Sequence, residues 1–524
     1  MNDAGIAQVG SRRPEAGADP VERVSRRRTW ITAVMLLFAV FAVDEASPLG
    51  MTADSMRAVA VAVSMVHFHS IGLDYFRSIF PRTHYYGLTP VGHHVYPLFP
   101  WADSLFAVPW VFAYDVLHKL GIGEGSIAMV NSTHDWPLQV VSMSAVVAAT
   151  TVVVYFVAMR GLTVMPPGRR SRWATGVALV FAFATPAWST ASRSLWQHGP
   201  SILCLSIALL CALRARDGLP GWTGMGLALG FSYMMRPTDA LVVAILGLWV
   251  LLAHPRQALR VVAGGAVPIA ILVAVDLVAY RQVLTPYFTE GQGFAVTRTM
   301  ATALAGNLIS PSRGLLLFCP LVLMSAAGIA LRRRQRALDG FWIALAAIPV
   351  AHWIVISAFK HWWAGDTYGP RLFTDMLPIL TLLALPAVDW LAGVATVGER
   401  KGARGARATH GARAAHGAHV ARGGGSPTRS GPKGRPTRGR TVVAALVGLA
   451  LVWSLFVEVQ GATLRSAWCW NNEPTDVDTH PSKLWAWSDP QFLRGIRQVI
   501  AGPSYHELAR DSVDLYGCPT EPVG

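Results

Sequence analysis

Residues 341–393 read FWIALAAIPVAHWIVISAFKHWWAGDTYGPRLFTDMLPILTLLALPAVDWLAG. Two apolar runs, Phe341–Phe359 and Leu372–Gly393, each approach or reach the roughly 20 residues needed to cross a bilayer. Between them, HWWAGDTYGPRL (His361–Leu372) gathers two tryptophans, a histidine, an aspartate, a Gly-Pro and an arginine. Two apolar crossings joined by a polar, aromatic turn make a membrane hairpin. The chemistry of the turn then depends on which side of the membrane it faces.

The rest of the chain repeats this pattern. Of its 524 residues, 52% are hydrophobic and only 14% charged, where a soluble chain carries about 25% charged residues. Mean hydropathy is +0.39. The fold class expected is an all-α polytopic membrane protein with about 11 transmembrane helices.

Arginine placement orients the spans, because basic loops stay on the cytoplasmic side. Arg23, Arg26, Arg27 and Arg28 precede the first span; Arg160, Arg169, Arg170 and Arg172 follow the second; Arg214, Arg216, Arg256, Arg260 and Arg332–Arg336 end later ones. The alternation closes with the N-terminus cytoplasmic and the C-terminus outside. Residues 1–28 form a basic arm expected to be disordered, not a cleaved signal, since no small-residue cleavage site follows the first span. Residues 29–395 form the main transmembrane domain with an outer loop at 51–135. Residues 396–440 form a Gly/Arg/Ala-rich cytoplasmic loop, expected to be disordered. Residues 441–461 are the last span, and 462–524 an outer tail. The net charge of +15 is spent on inside loops, which accounts for it by topology and anionic lipid rather than nucleic acid.

With this topology the outer face collects the unusual stretches: the 51–135 loop, SRSLWQHGPS (Ser192–Ser201), Arg281–Arg313 and HWWAGDTYGPRL. Asp54 opens an apolar run, Met56–Val66, too short to span and suited to an interfacial helix, with Arg57 one turn on. His93–Tyr114 is a second aromatic, proline-rich stretch suited to the interface. Asp44-Glu45 lies in the outer third of the first span, where a carboxylate is costly unless paired or facing a cavity. Cys204, Cys211 and Cys319 fall in spans as packing residues; Cys469 and Cys518 share the outer tail, where a bridge is permitted. No cysteine spacing suggests a metal.

These motifs together resemble the GT-C glycosyltransferase superfamily, especially the protein O-mannosyltransferases and lipid A aminoarabinose transferases. Those enzymes carry D-E-x-R-Y-A-x(5)-M after the first span, matched here by Asp54, Arg57 and Met65 with Ser55 in place of Glu. Tyr96-Pro97-Leu98 approximates their Pro-Pro-Leu segment, with Tyr96 or His93/His94 where a basic residue is usual. Trp363, Gly365, Gly369, Pro370, Arg371, Leu377 and Pro378 are similar to a late W-G-x-x-x-G-P-R-x-x-x-x-x-L-P pattern, and Ser310–Pro320 is similar to a S-x-x-G-L-L-x-x-x-P one. The likeness covers roughly residues 30 to 395. A second acid usual in the next outer loop is absent, with Gln197/His198 near its place.

The resemblance implies a GT-C-like bundle that transfers a sugar from a polyprenyl-phosphate donor to an outer acceptor: glycan, lipid or protein. No cofactor is fixed by it, and a divalent metal is left open. The expected base is Asp54, which reads otherwise as a helix cap; the alternative acids are Asp44 and Glu45. For the donor phosphate the candidates are Arg371, Arg57, Lys360, His361 and Arg313, with Arg371 alternatively pairing Asp375. For sugar or acceptor the candidates are Tyr96, His94, His198, Trp362 and Trp363, of which the tryptophans also suit a membrane-interface belt. A flippase for a lipid-linked sugar, or a non-catalytic envelope-assembly protein, are the alternatives. A flippase predicts mid-span polar residues and internal repeats.

Overall fold

The computed structural model describes residues 20–51, 54–79, 87–132, 134–162, 164–287, 299–393 and 438–496, with the backbone alone for 20–26 and 438–440. The arm at 1–19, most of the 396–440 loop and the tail beyond 496 lie outside the described residues.

Among the described residues, eleven apolar runs form helices. They are α1 (Pro20–Ala46), then, after the outer loop's α2 (Ala58–Phe68), α3 (Val108–Lys119) and α4 (Ser126–Asn131), α5 (Trp136–Gly161), α6 (Pro167–Phe183), α7 (His198–Arg216), α8 (Trp222–Met235), α9 (Ala240–Ala253) and α10 (Pro255–Ala279). After α11 (Thr299–Ile309) and the single turn α12 (Leu315–Phe318) come α13 (Leu321–Arg334), α14 (Gly340–Ser357), α15 (Leu377–Leu391) and α16 (Arg438–Thr463). Among the described residues, seven helices are long and apolar enough to cross a membrane: α1, α5, α7, α10, α14, α15 with the turn preceding it, and α16. The other four, α6, α8, α9 and α13, have 17, 14, 14 and 14 residues, below the usual span length. The chain is a multi-pass helical membrane protein.

Local chemistry sets the helix ends. Asp339 caps α14 by accepting from Phe341 N (3.0 Å) and Trp342 N (3.3 Å), satisfying amides that have no intrahelical partner. Its carboxylate also pairs with Arg216 at 2.6 Å, tying the end of α7 to the start of α14. Arg332–Arg334 close α13, where cations meet the negative end of the helix dipole. The main core gathers side chains from α5 to α9, α14 and α15, among them Tyr155, Phe181, Leu345 and Leu382.

The outer loop departs from expectation in one respect. In α2 the AVAVAV run is buried from Ala58 to Ser64, packed against α3 and α4 rather than lying on lipid; a helix apolar on all sides buries all sides. Its neighbour α3 has the amphipathic form instead, with Phe112 and Val116 exposed one turn apart. A short antiparallel hairpin, β1 (Leu88–Val91) with β2 (His94–Pro97), completes the loop. Cys204, Cys211 and Cys319 are free and Cys469 is disulfide-bonded; Cys518 lies outside the described residues.

Candidate functional site

The connections at one end of the bundle interlock. Between α6 and α7 the chain makes a π-turn (Ala187–Ala191) and then presents the fully buried Arg193. Its guanidinium donates to the main-chain oxygens of Asp44 (2.6 Å), Ser47 (3.0 Å) and Leu49 (3.3 Å), and Met51 N donates back to Arg193 O at 2.9 Å. A charged donor set thus fixes the exit of α1. A Ser55–Ser194 hydroxyl bond of 2.6 Å continues the seam. Asp54 opens a 3₁₀ turn (Asp54–Arg57) at that point.

Arg371 reaches the same place from the far end of the sequence. Its Nη2 donates to Asp54 Oδ2 at 2.7 Å, with Arg371 side-chain exposure of 8% and Asp54 of 25%. The guanidinium lies over the Trp196 ring, 4.6 Å from its centroid, a cation–π contact. Arg371 Nε and Trp196 Nε1 are buried without an acceptor. Arg371 and the indole beside it thus each carry a buried donor with no acceptor in the chain.

Arg371 does not pair with Asp375. The segment Arg371–Met376 is 3₁₀, with three residues per turn, so residues four apart leave the shared face. Asp375 instead accepts from His198 Nδ1 at 2.8 Å and pairs with Arg236 Nε, while Arg236 Nη1 donates to His198 Nε2 at 3.4 Å. This closed triangle puts the proton on Nδ1 and uses His198 as a strut behind Arg371. Below it, Asp239 accepts from Ser201 (2.6 Å) and Ser232.

Other candidates serve elsewhere. Arg57 faces Asp135, whose carboxyl burial pushes up to about 7 while Arg57 pulls it down. Lys360 and His361 are exposed. Arg313 is fully buried and donates Nε to Trp363 O (2.8 Å), Nη1 to Ser312 O (2.8 Å) and Gln491 Oε1 (2.6 Å), and Nη2 to Gly365 O (3.2 Å) and Asn471 Oδ1 (2.8 Å). Trp362 and Trp363 are buried; Trp363 Nε1 donates to Asp478 at 2.6 Å, and a β-carbon on Gly306 would meet the Trp362 ring at 2.1 Å. Both rings therefore belong to the core under the tail, not to an open sugar platform. His94 is exposed and bonded to Asp74 at 2.8 Å; half-buried Tyr96 packs on Tyr280. Asp44 is buried beside Arg193, and Glu45 is exposed.

The tail after Gly461 packs onto these loops. Gln491 Nε2 donates to Thr367 O (2.8 Å) and Ala467 O (3.0 Å), and its Oε1 accepts from Gly369 N (3.2 Å) and Arg313. Gly369 has φ +60°, and a β-carbon there would strike Phe318 at 2.6 Å, so this turn needs glycine. Arg371 N follows with a bond to Gly369 O at 3.0 Å. The tail thus clamps the loop that carries Arg371. Trp196 and Arg236 escaped the sequence reading although both sit in marked stretches: the first two residues before His198, the second in the polar break RPTD between two apolar helices.

No family model matches the chain, and no curated protein matches it. Among solved structures it is similar to ArnT from Cupriavidus metallidurans bound to undecaprenyl phosphate, at 14% identity, covering 94% of this chain and 85% of that one, with a TM-score of 0.43.

Proposed function

We propose that this chain is a GT-C-type glycosyltransferase of the cell envelope. It moves a sugar from a polyprenyl phosphate to an acceptor hydroxyl on the outer side of the membrane, with the N-terminus cytoplasmic and the C-terminus outside. The observation that carries this is the 2.7 Å pair between Asp54 and Arg371, a carboxylate and an anion-binding guanidinium held together where helices give way to loops.

Arg371 grips the donor phosphate through Nε and its outer nitrogens, in the forked geometry that suits phosphate. The phosphate then competes with Asp54 for the guanidinium. The released carboxylate takes the proton from the acceptor hydroxyl as its oxygen bonds to the anomeric carbon; the carbon–oxygen bond to phosphate breaks, and polyprenyl phosphate leaves with its charge on Arg371. An apolar groove of about 440 Å³, lined by Val43, Leu179, Phe183, Trp188 and Leu455 between α1, α6 and α16, suits the prenyl chain. The chain's path from Trp188 to Trp196 leads from that groove to Arg371.

The purified protein in vesicles with radiolabelled polyprenyl-phosphate sugar and envelope extract should give transfer. Asp54→Asn should cut the rate by about 10²–10⁴-fold, the worth of a general base, with melting unchanged. Transfer undiminished in Asp54→Asn removes it from that role, and label crossing the bilayer without transfer favours the flippase.

A further inference from the structure

The protein holds a partly open cavity of about 180 Å³, walled by residues that include Pro100, Tyr233, Pro237, Leu272, Asp276 and Thr285. Its size far exceeds the about 10–15 Å³ one water needs. Most of its lining is apolar, with two exceptions. Asp276, fully buried in α10, accepts from Trp101 Nε1 at 3.1 Å through Oδ1, and its Oδ2 is buried with no partner. Thr285, 4% exposed, holds a hydroxyl that is likewise buried and unpartnered. A carboxylate inside a membrane helix is costly unless something meets it, and Asp276 lines this cavity.

The cavity adjoins the charged site. Pro237 follows Arg236 of the Asp375 triangle, and Thr285 lies two residues before Tyr287, whose ring is 5.8 Å from that of Phe99, the neighbour of Pro100. Acceptor-bearing residues in the wall of an otherwise apolar space suit a ligand with hydroxyl donors and apolar faces. A carboxylate at the wall rejects a negatively charged one.

We propose that this cavity seats the transferred sugar, an uncharged polyhydroxylated ring, with Asp276 Oδ2 and Thr285 Oγ1 accepting from its hydroxyls. The proposal rests on the polyprenyl-phosphate reading above. It divides the donor among three places: prenyl chain in the groove by Trp188, phosphate on Arg371, sugar beside Asp276. Asp276 is then the residue that makes the site prefer a sugar-bearing lipid over the bare phosphate that leaves after transfer.

The test is binding to the full chain in nanodiscs, using polyprenyl phosphate bare and carrying glucose, mannose or arabinose. At least one sugar-bearing lipid should bind about tenfold or more tighter than the bare one, as expected for a hydrogen bond to a charged acceptor. Asp276→Asn keeps the bond to Trp101 through Oδ1 and turns the idle acceptor into a donor; Thr285→Val removes the second acceptor and covers the case in which Asp276→Asn fails to fold. Each should shrink that advantage to about threefold or less while bare-lipid affinity stays within about twofold. An advantage that survives both changes, or bare-lipid affinity that falls with it, overturns the sugar seat. A wild-type protein that binds no polyprenyl phosphate at all overturns the donor reading instead, and the sugar seat with it.

Discussion

Arg313 donates five hydrogen bonds, all to oxygens of the protein, whereas Arg371, 7% exposed, has one ion pair to Asp54 and an Nε that meets nothing. Both residues precede apolar helices at the same end of the bundle, and both were candidates for phosphate in the sequence, Arg371 first. The difference is what surrounds them. Around Arg313 the tail supplies Asn471 and Gln491, and the loop supplies the carbonyls of Trp363 and Gly365. Around Arg371 the protein supplies the face of Trp196 and a partly exposed carboxylate. A buried polar group whose valences are filled by its own chain is structure; one left open at a boundary is kept for something that comes and goes.

The widest separation between the two should appear in stability. Arg313→Met removes five hydrogen bonds from a buried clamp and leaves the oxygens of Trp363, Ser312 and Gly365 without this donor, which should cost about 3–5 kcal/mol or prevent folding. Arg371→Met gives up a pair with a partly exposed carboxylate and should cost about 1 kcal/mol or less. Denaturation in detergent measures both. Equal losses would mean that Arg371 too is a structural arginine, and would break the comparison.

A smaller effect probes the clamp alone. Asp366 sits in it with its carboxyl held up at about 6, first by burial and then by Asp478 and Asp476, against the pull of Asn472 and Arg313. The folded state therefore holds this proton better than the unfolded chain, whose aspartates titrate near about 3.9. Stability present in acid should fall as pH rises through the window from about 4 to about 6, by something on the order of 1–3 kcal/mol. Asp366→Asn should flatten that slope in a melting series and leave the protein more stable at neutral pH. An unchanged slope would place the titration elsewhere.

Much of this arrangement could be read from residues alone. Long apolar runs and arginine-rich ends gave the helices, because span length and loop charge are local properties. Asp54 and Arg371, picked from separate motifs 317 residues apart in sequence, stand in contact; their chemical roles remain a proposal. Arg313, Trp362 and Trp363 were misleading for a physical reason. Whether an arginine or tryptophan is saturated depends on which distant oxygens reach it, and those came from Asn471, Asp478 and Gln491 in a tail with no recognisable pattern. Asp276 carried a signal that passed unused: it is a lone carboxylate in an apolar helix, and such residues are rarely idle.

The finest test separates two contributions of one side chain. Trp196 offers its ring face to Arg371 and, at its edge, an indole N–H that is buried without an acceptor. Trp196→Phe keeps an aromatic face under the guanidinium and deletes the N–H. If that donor is merely an unsatisfied group, its removal should leave the ligand-free protein as stable as before, or slightly more so, since an unpaired buried donor costs free energy. If it is held ready for the phosphate or sugar, the same change should weaken binding of the polyprenyl-phosphate donor by about 2–12-fold, the worth of one ordinary hydrogen bond of about 0.5–1.5 kcal/mol. Unchanged stability with weakened binding would set Trp196 beside Arg371 among the groups kept open for a ligand. Lost stability with unchanged binding would move it to Arg313's side, among groups whose partners are already in the chain.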